Sequence, residues 1–187
     1  MASDILCPWC YVGKLRLQKA IDTLNVADKV DLSYRPHILY PHIPDEGKDV
    51  NESKSLRHVE SELVDSAAAL GVAFDLHAIK RVPQTKQIHR ALSTLGSSAA
   101  WKMKEVLFRA YFSEGKDLTD QSVIELLFEE QGHIYELSDA QELEDLLTEN
   151  RMLGISAVPT FILNDDISVT GAQPVDRWEN YLSKTLR

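Results

Sequence analysis

Apolar residues recur along this chain with two different periods, and the change of period divides it into three stretches. In the first, Leu17, Ala20, Ile21 and Leu24 fall at i, i+3, i+4 and i+7 and make one face of a helix. Ser3-Asp4-Ile5-Leu6 reads as the end of a short strand before that helix. Val30-Asp31-Leu32-Ser33-Tyr34 alternates apolar and polar, as a second strand does. Pro36, Pro41 and Pro44 then break regular structure, with Asp45-Glu46-Gly47 as a turn. The second stretch is helical. Its stripes are Leu56, Val59, Leu63, Ala67 and Leu70, closed by Gly71; Ile88, Ala91, Leu92 and Leu95, ending at Gly96; Met103, Leu107, Ala110 and Tyr111, ending near Gly115; and Val123, Ile124, Leu127 and Phe128, ending at Gly132. Ser138-Asp139-Ala140-Gln141 resembles a capping box for a fifth helix carrying Leu143, Leu146 and Leu147. In the third stretch the chain reads as strands again, the first of them β-branched and apolar. Val158-Pro159-Thr160-Phe161-Ile162-Leu163 and Ile167-Ser168-Val169-Thr170 flank a turn at Asn164-Asp165-Asp166, and Val175, Trp178, Tyr181 and Leu182 face one side of a last helix.

The simplest assembly of this order is an α/β fold in which the two β-rich ends share one sheet. Residues 1–40 and 138–187 then form one domain, and 41–137 form a helical domain inserted after the second strand.

Composition changes this picture little. An apolar content of 44% and a charged content of 26% are ordinary for a globular chain and argue against disorder. The formal net charge of −9 argues against nucleic acid as a partner, since like charge repels phosphate. No apolar run approaches the ~20 residues that span a bilayer. No basic segment leads into an apolar one at the start, so a cytoplasmic location, or a chain already trimmed, is expected.

The cysteines change it a great deal. The chain has two, and they stand three apart in Cys7-Pro8-Trp9-Cys10. A strand, then C-x-x-C, then an amphipathic helix is the opening of a thioredoxin-like unit. Pro8 suits the first helical position, where a missing N–H costs nothing. Cys7 then lies where free N–H groups and the helix dipole favour a thiolate, the attacking species in thiol–disulfide exchange. Two other fates are open to such a pair. It supplies half of many zinc sites, but no second pair exists and His37 and His42 lack the usual helical spacing. Free cysteines also pack as small inert hydrophobes.

The segment Ser3-Asp4-Ile5-Leu6-Cys7-Pro8-Trp9-Cys10-Tyr11-Val12-Gly13-Lys14 resembles the opening of the FrnE subfamily of DsbA-like thiol oxidoreductases. So do Arg81-Val82-Pro83-Gln84-Thr85 with His89-Arg90, Leu107 to Phe112, Gly154-Ile155 with Val158-Pro159-Thr160-Phe161, and Thr170 to Pro174. The resemblance implies a thioredoxin-like fold with a helical insertion. It also implies a cis Val158-Pro159 bond beside the cysteines, with the Val158 backbone turned toward an extended substrate. Kappa-class glutathione transferases and 2-hydroxychromene-2-carboxylate isomerases share the layout but usually carry serine in place of the first cysteine. Three features depart from the subfamily pattern: a short first strand, Gln84 where Asn is common, and a short stretch from Gly132 to Leu153.

The expected chemistry is exchange at Cys7 and Cys10, tuned by Pro8 and Trp9, with Val158 and Pro159 as the substrate-binding backbone. Partners are protein or small-molecule thiols and disulfides; no metal or cofactor is called for, and glutathione is admitted as a co-substrate. The oligomeric state stays open. A glutathione-dependent isomerase or transferase and a redox-responsive or zinc-holding binding module are the alternatives. His37, His42 and His89 are candidate proton shuttles. Arg81 is a candidate carboxylate ligand or else a solvated helix-cap residue. Trp101, Tyr111 and Phe112 read as core of the insertion, and the acidic run from Glu125 to Glu149 as solvated helix faces.

Overall fold

The structure, a computed structural model, describes residues 1–52 and 61–186. Strands β1 (Ala2–Ser3) and β2 (Arg35–Pro36) run parallel, joined by helix α1 (Pro8–Leu24). Strand β5 (Thr160–Leu163) lies antiparallel on the other side of β1, and β6 (Ile167–Thr170) closes the sheet in the order β2-β1-β5-β6. Between β2 and β5 the chain leaves this sheet. It passes through β3 (Lys48–Asp49), α2 (Ser61–Ala68), β4 (Arg81–Val82), α3 (Lys86–Ser93), α4 (Ser97–Phe112), α5 (Gln121–Glu130) and α6 (Ala140–Met152). Helix α7 (Val175–Thr185) follows β6.

The mixed sheet with helices against it is the thioredoxin-like α/β architecture that the pattern implied. Helix α1 packs along α7 and also touches α2 and α4. Tyr11 on α1 stacks on Phe108 of α4 at 5.1 Å and on Phe74 at 5.8 Å, and Phe74 stacks on Phe112 at 5.4 Å. Such ring pairs add ~1 kcal/mol each beyond their burial. This aromatic column binds α1 to α4 and to the segment that carries Phe74.

Several elements differ from the pattern. Residues 30–34 are extended but are not a strand: β1 offers ladder partners only as far as Met1, whose carbonyl accepts Arg35 N at 2.8 Å. Asp4 to Leu6 form a turn, because Asp4 uses its oxygens to hold the backbone of the Cys7 loop rather than to extend a ladder. Val158 and Pro159 precede β5 rather than belonging to it. The helical insertion contains a small antiparallel pair, β3 with β4. Helix α6 is capped by Asp139, which accepts Gln141 N at 2.7 Å, one residue later than the Ser138 box. Gly96 does not close α3; it is the N-cap of α4. Leu56 and Val59 lie outside the described residues, while Leu63 and Ala67 are buried. Among the described residues no helix is long and apolar enough to cross a membrane.

Candidate active site

Cys7 is the N-cap of α1, with Pro8 at the first helical position. Its carbonyl accepts Cys10 N at 3.0 Å, and its Sγ lies 3.2 Å from the same N–H. The loop entering the helix is held from below: Cys7 N donates to Asp4 O at 3.1 Å, and Leu6 N donates to Asp4 Oδ1 at 3.3 Å. A helix N-terminus aimed at a sulfur favours negative charge there. Both sulfurs are free thiols. Cys7 keeps 6% of its surface open, whereas Cys10 has 0%. Both are buried, and what surface the pair keeps belongs to Cys7. Burial, and then the neighbouring Cys7 sulfur, push the Cys10 thiol well above its ordinary range; Lys104 and the Asp4 backbone oppose this.

The peptide bond Val158-Pro159 is cis. It brings the Val158 carbonyl within 3.8 Å of Cys7 Sγ, which donates to it. Among the described residues nothing bonds the Val158 N–H. The loop is anchored behind by Gly171 N donating to Pro159 O at 2.7 Å and by Thr160 Oγ1 donating to Ala157 O at 2.7 Å. Gly13 on α1 allows the close approach. A Cβ there would sit 3.2 Å from Pro159 Cγ and 3.3 Å from Phe161 Cζ, tighter than side chains normally pack. Arg16, a turn further on, donates to Ala172 O at 2.6 Å and Ser66 Oγ at 2.9 Å and ties α1 to both flanks.

The structure thus brings Cys7, Cys10, Pro8 and the Val158-Pro159 bond together, with Trp9 half-buried against the patch that Leu63 and Ala67 make on α2. The other candidates scatter. His42 is exposed. His37 is half-buried, and burial holds it below its ordinary range, with His89 adding to that and Asp4 opposing. Arg81 is neither a helix cap nor an open carboxylate ligand: it sits in β4 and donates to Glu46 O at 2.7 Å, because the β3–β4 pair brings that turn alongside. Gln84 clamps the same region, donating to Ile43 O at 2.6 Å. Tyr111 and Phe112 are core of the insertion, but Trp101 reaches out of it to lie 4.8 Å beneath the ammonium of Lys14 on α1.

His89 is fully buried, and its Nε2 lies 3.4 Å from Asp4 Oδ1, a close polar contact rather than an aligned hydrogen bond. Asp4 Oδ2 accepts Leu39 N at 2.6 Å. Burial alone would raise the Asp4 carboxyl, but the His89 side chain and charge, then the Leu39 and Leu6 N–H groups, hold it below its ordinary range. Sequence reasoning missed Asp4 as a buried support. Its signal was an acid placed between Ser3 and two aliphatics, directly under the cysteine loop. Among the described residues no three His, Cys, Asp or Glu side chains cluster as a metal site would need.

The model of the DSBA-like thioredoxin domain matches residues 2–183. The Bacillus subtilis protein YwbO is 25% identical over 97% of this chain and 93% of its own. A probable DsbA oxidoreductase from Streptomyces coelicolor superposes with a TM-score of 0.79 at 26% identity, over 98% of this chain and 87% of that one. The cytosolic disulfide reductase DsbM from Pseudomonas aeruginosa, with GSH, superposes at 0.69 with 20% identity, over 100% and 97%, and shares the fold.

Proposed function

The chain belongs to the DsbA-like thioredoxin domain family, and from that premise we propose that it is a thiol–disulfide oxidoreductase of the FrnE type working through Cys7 and Cys10. The observation that carries the reading is the asymmetry of the pair. Cys7, though buried, keeps some open surface, caps a helix and touches the Val158 carbonyl, while Cys10 is sealed behind it. The Cys7 thiolate attacks one sulfur of a substrate disulfide; that S–S bond breaks and the other half leaves as a thiolate. Cys10 then gives up its proton and attacks Cys7 Sγ, releasing the second half. The pair ends oxidised and the substrate has gained two electrons. Run backward, the same steps oxidise a dithiol.

The Val158 N–H and C=O offer an extended peptide the two groups of a strand edge, which supports protein substrates without sequence reading. Small thiols, glutathione among them, fit the same exchange. Cysteines confined to the active pair suit a reducing compartment, so a cytoplasmic setting is part of the proposal. So is the division into a thioredoxin-like domain at 1–40 and 138–187 and an inserted one at 41–137.

Insulin reduction in the presence of dithiothreitol tests this. Cys7→Ser is expected to abolish turnover, and Cys10→Ser to trap a mixed disulfide on Cys7. Turnover that survives Cys7→Ser, or that survives Cys10→Ser and needs glutathione, overturns the assignment. The reduction potential of the pair in a glutathione buffer then sets the working direction.

A further inference from the structure

Lys104 lies on the apolar stripe of α4, between Trp101 and Phe108, and its side chain is 1% exposed. Among the described residues its Nζ has no hydrogen-bond partner. Two rings hold it instead: Nζ sits 4.7 Å from the centroid of Tyr34 and 5.5 Å from that of Phe108. Both rings lead to the active site. Phe108 stacks on Tyr11, the residue after Cys10. Tyr34 stacks on His89, which contacts Asp4 beneath the Cys7 loop. An uncompensated buried cation is expensive, and the exchange chemistry described above gives Lys104 no task.

We propose that Lys104 is a positioning residue of the dithiol: its buried ammonium is the positive charge against which Cys10 ionises when it displaces a substrate from Cys7. This rests on the oxidoreductase reading. In the mixed disulfide the Cys7 sulfur is bonded and uncharged, so the sealed Cys10 is the one sulfur of the pair left to carry charge. Its S–H must break inside the core before the new S–S bond forms, and the proton ends on the departing substrate thiolate. A cation within electrostatic reach stabilises that step, and in low dielectric the attraction is strong.

The charges that face Lys104 fit this role. Burial lowers its ammonium to about 8, and Lys14 adds to the lowering, while Cys10, then Asp4, then Cys7 oppose it. The Met1 amino group, which burial and then Lys104 push down to about 5, is uncharged near neutrality and adds no second cation there. The influence is reciprocal, since Lys104 pulls the raised Cys10 thiol back down. Tyr34, adjoining it, is raised by burial and stays neutral. At neutral pH Lys104 therefore remains mostly charged.

Dithiobis-nitrobenzoate separates the two halves of the reaction. Capture by Cys7 releases one coloured thiolate, and displacement by Cys10 releases the second. Stopped-flow traces across pH are compared for the natural protein, Lys104→Met and Lys104→Arg. Lys104→Met is expected to slow the second phase at least about tenfold near neutrality and to move its pH profile upward by roughly a unit, a tenfold change in ionisation. The first phase is less affected. Lys104→Arg keeps the charge and is expected to stay within about threefold. A Lys104→Met second phase with the natural rate and profile, or equal slowing by Met and Arg, overturns the proposal. Absence of the first phase in the natural protein overturns the oxidoreductase reading instead. Should the α4 variants fail to fold, NMR titration of Lys104 in the natural protein and in Cys10→Ser decides the matter. The Lys104 midpoint is expected to fall when the thiol is removed, and an unmoved midpoint sinks the coupling.

Discussion

Lys14 and Lys104 are buried to the same degree, each 1% exposed, on two helices that touch. Each lies over a ring, Lys14 at 4.8 Å from Trp101 and Lys104 at 4.7 Å from Tyr34. They differ in what answers the charge. Lys14 Nζ meets Glu105 Oε2 at 2.5 Å, and Glu105 is 45% exposed, so that pair opens to water. Lys104, one residue before Glu105, has no such partner and lies in the charge field of the cysteines and Asp4. Burial lowers both ammoniums, but at Lys14 the carboxylate counters it. The first site joins α1 to α4; the second sets a charge of α4 in the field of the cysteines. A buried charge with a dedicated partner is architecture, whereas one without invites a search for the reaction it serves.

The largest effect expected from breaking this comparison is on stability. Lys104 falls to about 8 in the fold, against roughly 10.4 in an unfolded chain. The folded value is depressed, so below about 8 both states are charged and the whole burial cost is present. Between about 8 and about 10.4 the unfolded chain binds more protons, and stability rises with pH. The span amounts to about 3 kcal/mol. Lys104→Met is therefore expected to be more stable than the natural protein by up to about 3 kcal/mol near neutrality, with the advantage fading as pH climbs through that window. Urea titrations at several pH values read this directly. A destabilised Lys104→Met at neutral pH breaks the contrast. Together with the slower resolution expected of the same variant, the gain would identify Lys104 as a residue kept for function at the expense of stability.

Glu105→Gln sharpens the comparison from the other side by turning Lys14 into a second unpaired buried lysine. Removing one member of a fully buried pair costs ~3–5 kcal/mol, but solvent at the Glu105 carboxylate screens much of that, so a loss of about 1 kcal/mol is expected. The Lys14 ammonium moves further down, since the group holding it up is gone. Resolution by Cys10 is expected to stay near its natural rate, because neither Lys14 nor Glu105 is among the groups that shift the Cys10 thiol. A loss of resolution comparable to that of Lys104→Met would mean that general damage to α4, and not its charge, slows exchange.

The sequence pattern singled out neither lysine as a buried charge, although Lys14 falls between Cys10 and Leu17 and Lys104 between Trp101 and Phe108. Period alone treats such a residue as a long aliphatic stem that reaches solvent, because most are. What distinguishes the two is a residue on the facing helix, and no local pattern carries that. The same limit explains Val30 to Tyr34, whose alternation is real but whose ladder runs out of partners. It also explains Asp4, whose neighbours Leu39 and His89 come from distant segments. The helical stripes, the hairpin around Asn164 and Asp165 and the C-x-x-C opening were legible because each is specified within a few residues. The cis Val158-Pro159 bond followed from family resemblance and not from local physics.

Salt gives the smallest and cleanest discrimination. Raising ionic strength from 0.01 M to 1 M shortens the screening length from ~30 Å to ~3 Å. The Lys14–Glu105 pair has one end in water, beside a cleft lined by Lys14, Gln18, Trp101 and Lys102, so counterions reach it. The destabilisation by Glu105→Gln is therefore expected to shrink by about half, roughly 0.5 kcal/mol. Lys104 is sealed by Tyr34 and Phe108, and ions cannot enter between the rings. The stability gained by Lys104→Met is expected to hold within about 0.3 kcal/mol over the same range, buried charges being screened far less. Paired urea melts of the two variants at both salt concentrations measure this. If the Lys104→Met advantage fades with salt as steeply as the Glu105→Gln loss, the two ammoniums sit in equally wet surroundings, and burial cannot be what sets Lys104 apart.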